Sequence, residues 1–298
     1  MGTVFVIEEY VMERIGMVVE GGGLRGIYAA GVLDSFMDHE VPLVDGVFGV
    51  SAGAIHATSY ITGQRGRSIA VNLDYIGDKR YISWQNWLKT GNMIGAEFTY
   101  QTIPRELNPY LYDTYREGST KLYAGVSNLL TGEAEYIRIE DMEEEGGVDI
   151  LRASASLPLF SKAVMLENRP LLDGGICDSI PIQAAIQHGF GKNIVILTQP
   201  DGYEKGPSRE ALAISMVYRK YPKFVSAAKS RHITYNHSLA RVREEEEAGR
   251  ALVFRPSTHL TVKRLDKNPD RIMAMYNLGY ADGVAQVEEV KRFLTKDA

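Results

Sequence analysis

Twice before Gly63 a short apolar run ends in glycine and gives way to residues at helical spacing. The first run, "RIGMVVE", leads into Gly21, Gly22 and Gly23, after which Ile27, Ala30, Gly31, Leu33 and Phe36 recur with a helix period. The second, "GVFGV", leads through Ser51 into "AGAIHATSYITG", helical until Gly63. Apolar runs this short are buried strands. Strand, glycine turn and helix, repeated, is the rhythm of an α/β fold with a mostly parallel central sheet under covering helices.

Composition narrows what such a sheet can serve. A net charge of -5 argues against a nucleic-acid partner, which needs clustered lysine and arginine in excess. One cysteine, Cys177, excludes an intrachain disulfide framework and fits a reducing compartment. The N-terminal "MGTVFVIEEYVMERIG" carries Glu8, Glu9 and Glu13 where a secretory leader needs positive charge and unbroken apolar residues, so a cytoplasmic location is expected. No apolar stretch reaches the roughly 18 residues of a spanning helix, and any contact with lipid is expected to be peripheral.

Farther along, residues 64–117 change character. The stretch is dense in tyrosine and tryptophan, broken by Asn, Gly and Pro, and without sustained period. It reads either as an irregular subdomain filling its own small core or as a lid. Strands return at "KLYAGVSNLL" and "AEYIRI", a hairpin through "TGE", and at "NIVILTQP". The tail offers a long polar helix across 226–250, a strand "ALVFRPS" and a closing helix from about Asp270 to Phe293. Glu143 to Glu145 and Glu244 to Glu247 lack the alternating ligand spacing of a calcium loop and read as solvated faces.

Two glycine motifs carry the candidate chemistry. Gly21, Gly23 and Gly26 satisfy the dinucleotide pattern G-x-G-x-x-G, but that unit wants an acid at the far end of the second strand. Asp45 precedes that strand, and Gly49, Val50 and Ser51 occupy its end. Taken instead as donors, the glycines let several N–H groups converge at a helix start, a cradle for an anion such as the oxygen of a tetrahedral intermediate. "GVSAG" has the form of a nucleophile elbow, with Ser51 on a sharp strand-to-helix turn. Of six histidines, His56 lies five residues along the same helix and cannot easily fold back, and His39, His188, His232, His237 and His259 sit in polar contexts. The acid that stands out is Asp173 in "RPLLDGGICDSIP", after an apolar run and before Gly174 and Gly175. Taken alone, it reads first as a turn aspartate bonding its own backbone. Cys177, with no adjacent base, reads as a small packed residue.

"EGGGLRG", "GVSAG" and "DGG", in this order, resemble the patatin-like phospholipases, lipid acyl hydrolases that use a Ser–Asp dyad without histidine. "ASASLPLF" at 153–160 and the "DSIP" after "DGG" resemble the bacterial branch. The similarity covers about residues 14–200 and implies a three-layer α/β/α hydrolase domain there, with 201–298 as a mainly helical C-terminal extension packed on it. It further implies Ser51 as nucleophile, Asp173 as base, and the N–H groups of Gly22, Gly23 and Leu24 as oxyanion hole with Arg25 beside it. Gly21, Gly26, Gly49, Gly53, Gly174 and Gly175 are the motif glycines. The resemblance implies a lipid or fatty-acyl ester as substrate, without identifying which one, and no metal or organic cofactor. Many plant members differ from this chain at Glu20, which leaves the chemistry intact. An aspartate with an ordinary pKa of about 3.9 is a weak base, so the dyad calls for a desolvated carboxylate, and esters are better substrates than amides. Two alternatives remain open: a Ser-His-Asp esterase using His232, His237 or His259, and a lipid-binding or regulatory protein of the same fold without catalysis.

Overall fold

The computed structural model describes residues 14–259, 262 and 266–295. The N-terminal stretch 1–13, read above as lacking a leader pattern, lies outside them. The chain opens with β1 (Arg14–Val19), a 3-10 turn over Gly23–Gly26 and α1 (Ile27–Asp38), then repeats the unit with β2 (Gly46–Val50) and α2 (Ala52–Ile61). After an insertion, β3 (Lys121–Asn128) and β4 (Ala134–Ile139) form the expected hairpin. There follow α6 (Glu145–Ser154), β5 (Val164–Leu166), β6 (Arg169–Asp173), α7 (Ile182–Gln187) and β7 (Phe190–Ile196).

The insertion is not irregular. It folds as α3 (Arg67–Tyr75), α4 (Trp84–Thr90), a π-helical segment Phe98–Leu107 and α5 (Tyr112–Glu117). Its α-helices have nine residues or fewer, and Pro104 lies inside the ten-residue π-helical segment, so no amphipathic period accumulates in the sequence. Ser83 caps α4, accepting the Asn86 N–H at 3.0 Å. Three of its aromatics, Phe98, Tyr110 and Tyr115, are buried.

Eight strands form one sheet in the order β5, β6, β3, β2, β1, β7, β8 (Ala251–Phe254), with β4 on the other edge of β3. The pairs β3/β2, β2/β1, β1/β7 and β7/β8 are parallel, while β4, β6 and β5 run antiparallel to their neighbours. Alternate side chains sort into two buried layers, as a pleated strand requires. Met17, Val19, Ile194 and Ile196 face α1 and the C-terminal helices. Val18, Phe48, Val195 and Leu197 face α7 and the long helix α9 (Pro222–Glu247).

The segment after residue 200 contributes α8 (Ala211–Val217), α9, the edge strand β8 (Ala251–Phe254), α10 (Pro269–Ala285) and α11 (Val287–Leu294). The single closing helix expected over 270–293 is broken at Gln286. Helices α1 and α10 pack so closely that a Cβ on Gly31 would strike the Tyr276 carbonyl, and one on Gly279 the Tyr28 carbonyl. The acidic run 244–247 is not wholly solvated either. Glu245 is buried and pairs with Arg241 at 2.6 Å and Arg250 at 2.7 Å, fastening the end of α9 to the chain entering β8.

Candidate active site

The register of β3 explains how residues 51 and 173 meet. Along one edge β3 pairs with β2 as far as Val50 opposite Gly125. β4 occupies the opposite edge through Ser127, so β6, which pairs with Val126 to Asn128, must continue the edge that β2 leaves. Asp173 stands opposite Val126, the residue next to Gly125. The end of one strand and the end of another therefore abut, and Ser51 Oγ donates to Asp173 Oδ2 at 2.7 Å.

Ser51 sits at φ 55°, ψ -124°, a left-handed backbone that a serine adopts only at a cost of about 1–3 kcal/mol unless its surroundings hold it. They do. Its N–H donates to Ser154 Oγ at 2.9 Å, and Ser154 Oγ donates in turn to the Gly125 carbonyl at 2.7 Å. A Cβ on Gly53 would lie 2.5 Å from the Val19 carbonyl oxygen, and one on Gly49 2.5 Å from Ala54 Cα, so glycine at both positions lets α2 rest directly on the strand ends. Asp173 is 3% exposed and Ser51 8%. The second carboxylate oxygen of Asp173 accepts the Gly175 N–H at 2.8 Å, and its own N–H donates to the Ser156 carbonyl at 2.8 Å. Gly174 passes so close to the Gly125 carbonyl that no side chain fits.

The glycine loop is pinned at its start. Glu20 N–H donates to Ile196 O and Gly21 N–H to Ser179 O, while the buried Glu20 carboxylate accepts from Tyr235 Oη at 2.7 Å and Thr198 N–H at 2.5 Å. Among the described residues no acceptor engages the N–H groups of Gly22, Gly23 or Leu24. Gly23 adopts φ 57°, and Arg25 N–H closes the turn on the Gly22 carbonyl at 3.3 Å. Gly21, Gly22, Gly23, Arg25, Ser51, Asp173 and Gly175 line one small cleft. Arg25 Nε is buried there and has no hydrogen-bond partner among the described residues. Gly26 packs on Ala52 beneath the loop.

The remaining candidates fall elsewhere. Asp45 accepts the Ile15 N–H at 2.7 Å at the opposite end of the strands from the glycine loop, where it cannot meet a ribose. His56 packs against Gly26, and burial pulls its imidazole down to about 4. No histidine nitrogen is bonded to Ser51 Oγ among the described residues; His259 is exposed, and His232 lines an adjoining hollow that shares Lys205 and Arg231 with the cleft. Burial pushes the Cys177 thiol up to about 11, and its Sγ donates to the Gly132 carbonyl at 3.3 Å, so it is a packed thiol rather than a nucleophile.

Three neighbours of the cleft escaped the sequence. Ser154 belongs to the "ASASLPLF" string, where nothing marked it as a backbone support. Arg231 reaches in from α9 and donates through Nε to the Gly175 carbonyl, and Lys205 comes from the loop after β7. No local motif announces a side chain delivered from so far along the chain.

A family model described as patatin-like phospholipase matches residues 17–186, and one described as a domain of unknown function (DUF6363) matches 221–295. An uncharacterized protein of Escherichia coli, YjjU, is 31% identical over 198 residues, 63% of this chain and 52% of that protein. Lysophospholipase nte1 of Aspergillus niger is 22% identical across 93% of this chain and 18% of its own length. The chain thus spans about half of the first relative and under a fifth of the second. Among solved structures, VipD from Legionella pneumophila aligns with a TM-score of 0.47 at 15% identity, covering 93% of this chain and 67% of that one.

Proposed function

Because the chain belongs to the patatin-like phospholipase family, we propose that it hydrolyses acyl esters of lipids, with Ser51 as nucleophile and Asp173 as its base. The observation that carries this reading is the 2.7 Å hydrogen bond from Ser51 Oγ to Asp173 Oδ2, made by two residues 122 positions apart beside three backbone donors that find no acceptor among the described residues. Ser51 Oγ attacks the ester carbonyl while its proton passes to Asp173. The carbonyl oxygen, now negative, is received by the N–H groups of Gly22, Gly23 and Leu24, each such donor contributing about 3–4 kcal/mol of transition-state stabilisation. Arg25 adds positive potential at the same cleft. As the tetrahedral intermediate collapses, Asp173 returns the proton to the leaving alcohol; water then enters, gives its proton to Asp173 and releases the acid. The near-complete burial of Asp173 favours this role, since a carboxylate stripped of water is a better base.

Peripheral contact with lipid fits the rim of the cleft. Trp87 Nε1 donates to the Leu159 carbonyl and the Leu159 N–H to Tyr218 Oη, so α4 and the end of α8 attach at one point, two residues from Leu157 in the cleft wall. Both helices leave apolar side chains exposed: Trp84 and Leu88 on α4, Leu212 and Met216 on α8. A surface of that kind suits an aggregated substrate. No helix among the described residues is long and apolar enough to cross a membrane.

The test is Ser51→Ala. The wild-type protein is expected to hydrolyse p-nitrophenyl butyrate and to react covalently with a fluorophosphonate probe, and the variant to do neither. A folded wild-type protein whose Ser51 ignores the probe would be a lipid-binding or regulatory member of the family instead.

A further inference from the structure

Sheet register brings Ser51 and Asp173 together, yet two segments of the site lie past the last paired residues of their strands: the glycine loop after β1 and the turn after β6. One helix holds both. α9 begins at Pro222, beyond the patatin-like match that ends at residue 186 and inside the match to the domain of unknown function. Arg231 and Tyr235, four residues apart, lie on the same face of it.

Tyr235 serves the loop. Its buried Oη donates at 2.7 Å to the carboxylate of Glu20, the buried residue from which the loop departs. Burial, with the Glu20 carboxylate beside it, pushes the Tyr235 hydroxyl far above its ordinary value, so it remains a donor. The other Glu20 oxygen accepts the Thr198 N–H, and Gly22 rests on Thr198 so closely that a Cβ there would lie 2.9 Å from its hydroxyl. A buried carboxylate is costly unless donors meet its oxygens. Without Tyr235 the chain just before Gly22, Gly23 and Leu24 would have to shift toward water or another donor.

Arg231 serves the turn. Its Nε donates to the Gly175 carbonyl, and the N–H of that same glycine donates to Asp173 Oδ1 at 2.8 Å. Ser179 links the two segments, its hydroxyl donating to the Gly175 carbonyl at 2.9 Å and its carbonyl accepting the Gly21 N–H at 3.1 Å. Asn236, next to Tyr235, brackets the backbone of Lys205 in the cleft wall, accepting its N–H at 2.8 Å and donating to its carbonyl at 3.1 Å. The helix is fixed on either side of these contacts. Phe224 and Ala228 pack with Leu172 and Ile176, Val242 packs in the layer of Ile180 and Leu197, and Glu245 ties the far end to Arg250. A helix anchored this way places its middle residues more precisely than a loop could.

We propose that α9 is a positioning element of the active site: Tyr235, through Glu20, sets where the oxyanion donors point, and Arg231, through Gly175, sets the orientation of the Asp173 carboxylate. The kinetic half of the test rests on Ser51 as nucleophile and Asp173 as base; the hydrogen-exchange half does not. Tyr235→Phe keeps the ring and removes one oxygen, and in the full chain it should speed amide exchange at Glu20 and Gly21 about tenfold more than at Gly175. Arg231→Met, at a partly buried side chain, should do the reverse, and it keeps the test decisive should Tyr235→Phe fold poorly. On p-nitrophenyl butyrate each variant should lower kcat about tenfold with KM within about twofold of wild type, a fraction of the roughly 10²–10³-fold that deleting an oxyanion donor costs. Exchange that rises evenly along α9 and the sheet, or that stays at the wild-type rate at both segments, overturns the proposal and leaves these contacts as packing. Wild-type kcat in both variants overturns it too, as does a raised KM at unchanged kcat, which would make α9 a substrate-binding surface. Should the wild-type protein turn over no ester, the reading of Ser51 falls alone, and the exchange pattern still decides whether α9 holds the two segments.

Discussion

The floor of the cleft and its wall are built on opposite terms. In the floor, strand ends and helix starts approach until only hydrogen fits between them, as at Gly53 against Val19 and Gly174 against Gly125. The position of Ser51 and Asp173 is then a consequence of sheet register and steric exclusion. In the wall, α3 to α5 and the π-helical segment are short, Trp84 and Leu88 face solvent, and Arg67 and Thr99 keep unspent polar atoms. The contrast separates two tasks. A framework that cannot shift is suited to holding reacting atoms, and a looser, more variable covering is suited to deciding what reaches them.

If the floor does the chemistry, its variants should fail on every substrate. Asp173→Asn preserves shape but cannot accept a proton, and kcat should fall by about 10³-fold, within the usual range for a lost general base, on soluble and aggregated esters alike. Alanine at His232, His237 or His259 should leave kcat near the wild-type value; a collapse in one of them would install a histidine base and break the contrast. A smaller effect tests the sterics. Gly53→Ala places a methyl group 2.5 Å from a backbone oxygen, and the shift it forces should cost about 1–3 kcal/mol, read as a lower urea midpoint, together with reduced turnover as Ser51 moves. A variant as stable and active as wild type would mean that the close packing of the floor is not what positions the serine.

The same contrast explains what could be read in the sequence. Gly49 and Gly53 around Ser51, and the glycines after Glu20, are legible because their physical reason is local: a turn, a strained φ, a helix set against a strand. The strand that delivers Asp173 was not legible. β6 contains Pro170, which argues against a strand by local rules, and its place beside β2 depends on β3, about 45 residues earlier in the chain. The candidate acid therefore stands out only by the apolar run before it and the glycines after it, which by themselves favour a turn aspartate. In the wall even element type was obscured, because helices of seven residues do not repeat an apolar position often enough to reveal a period. Glu245 failed differently: charge composition places it in solvent, and only Arg241 and Arg250, brought to it by the end of α9, make its burial affordable.

The two tryptophans of α4 offer the finest division between wall and floor. Trp84 is 61% exposed and touches Phe160 and Trp87 through ring edges only. Trp87 is less exposed and ties α4 to the cleft through its bond to the Leu159 carbonyl at 3.0 Å. Removing Trp84 should therefore subtract lipid contact without disturbing the cleft. Full burial of a large apolar side chain contributes about 1.5–3 kcal/mol, and partial insertion into a lipid surface a fraction of that. Trp84→Ala should lower kcat/KM on phospholipid vesicles about fivefold while barely altering p-nitrophenyl butyrate hydrolysis. Trp87→Ala should lower both, because the Leu159 segment loses its anchor and Leu157 lies two residues away in the cleft wall. Equal losses on the two substrates for Trp84→Ala would make α4 structural, and no loss on vesicles would move the lipid contact elsewhere, with α8 and its exposed Leu212 and Met216 as the next face to alter.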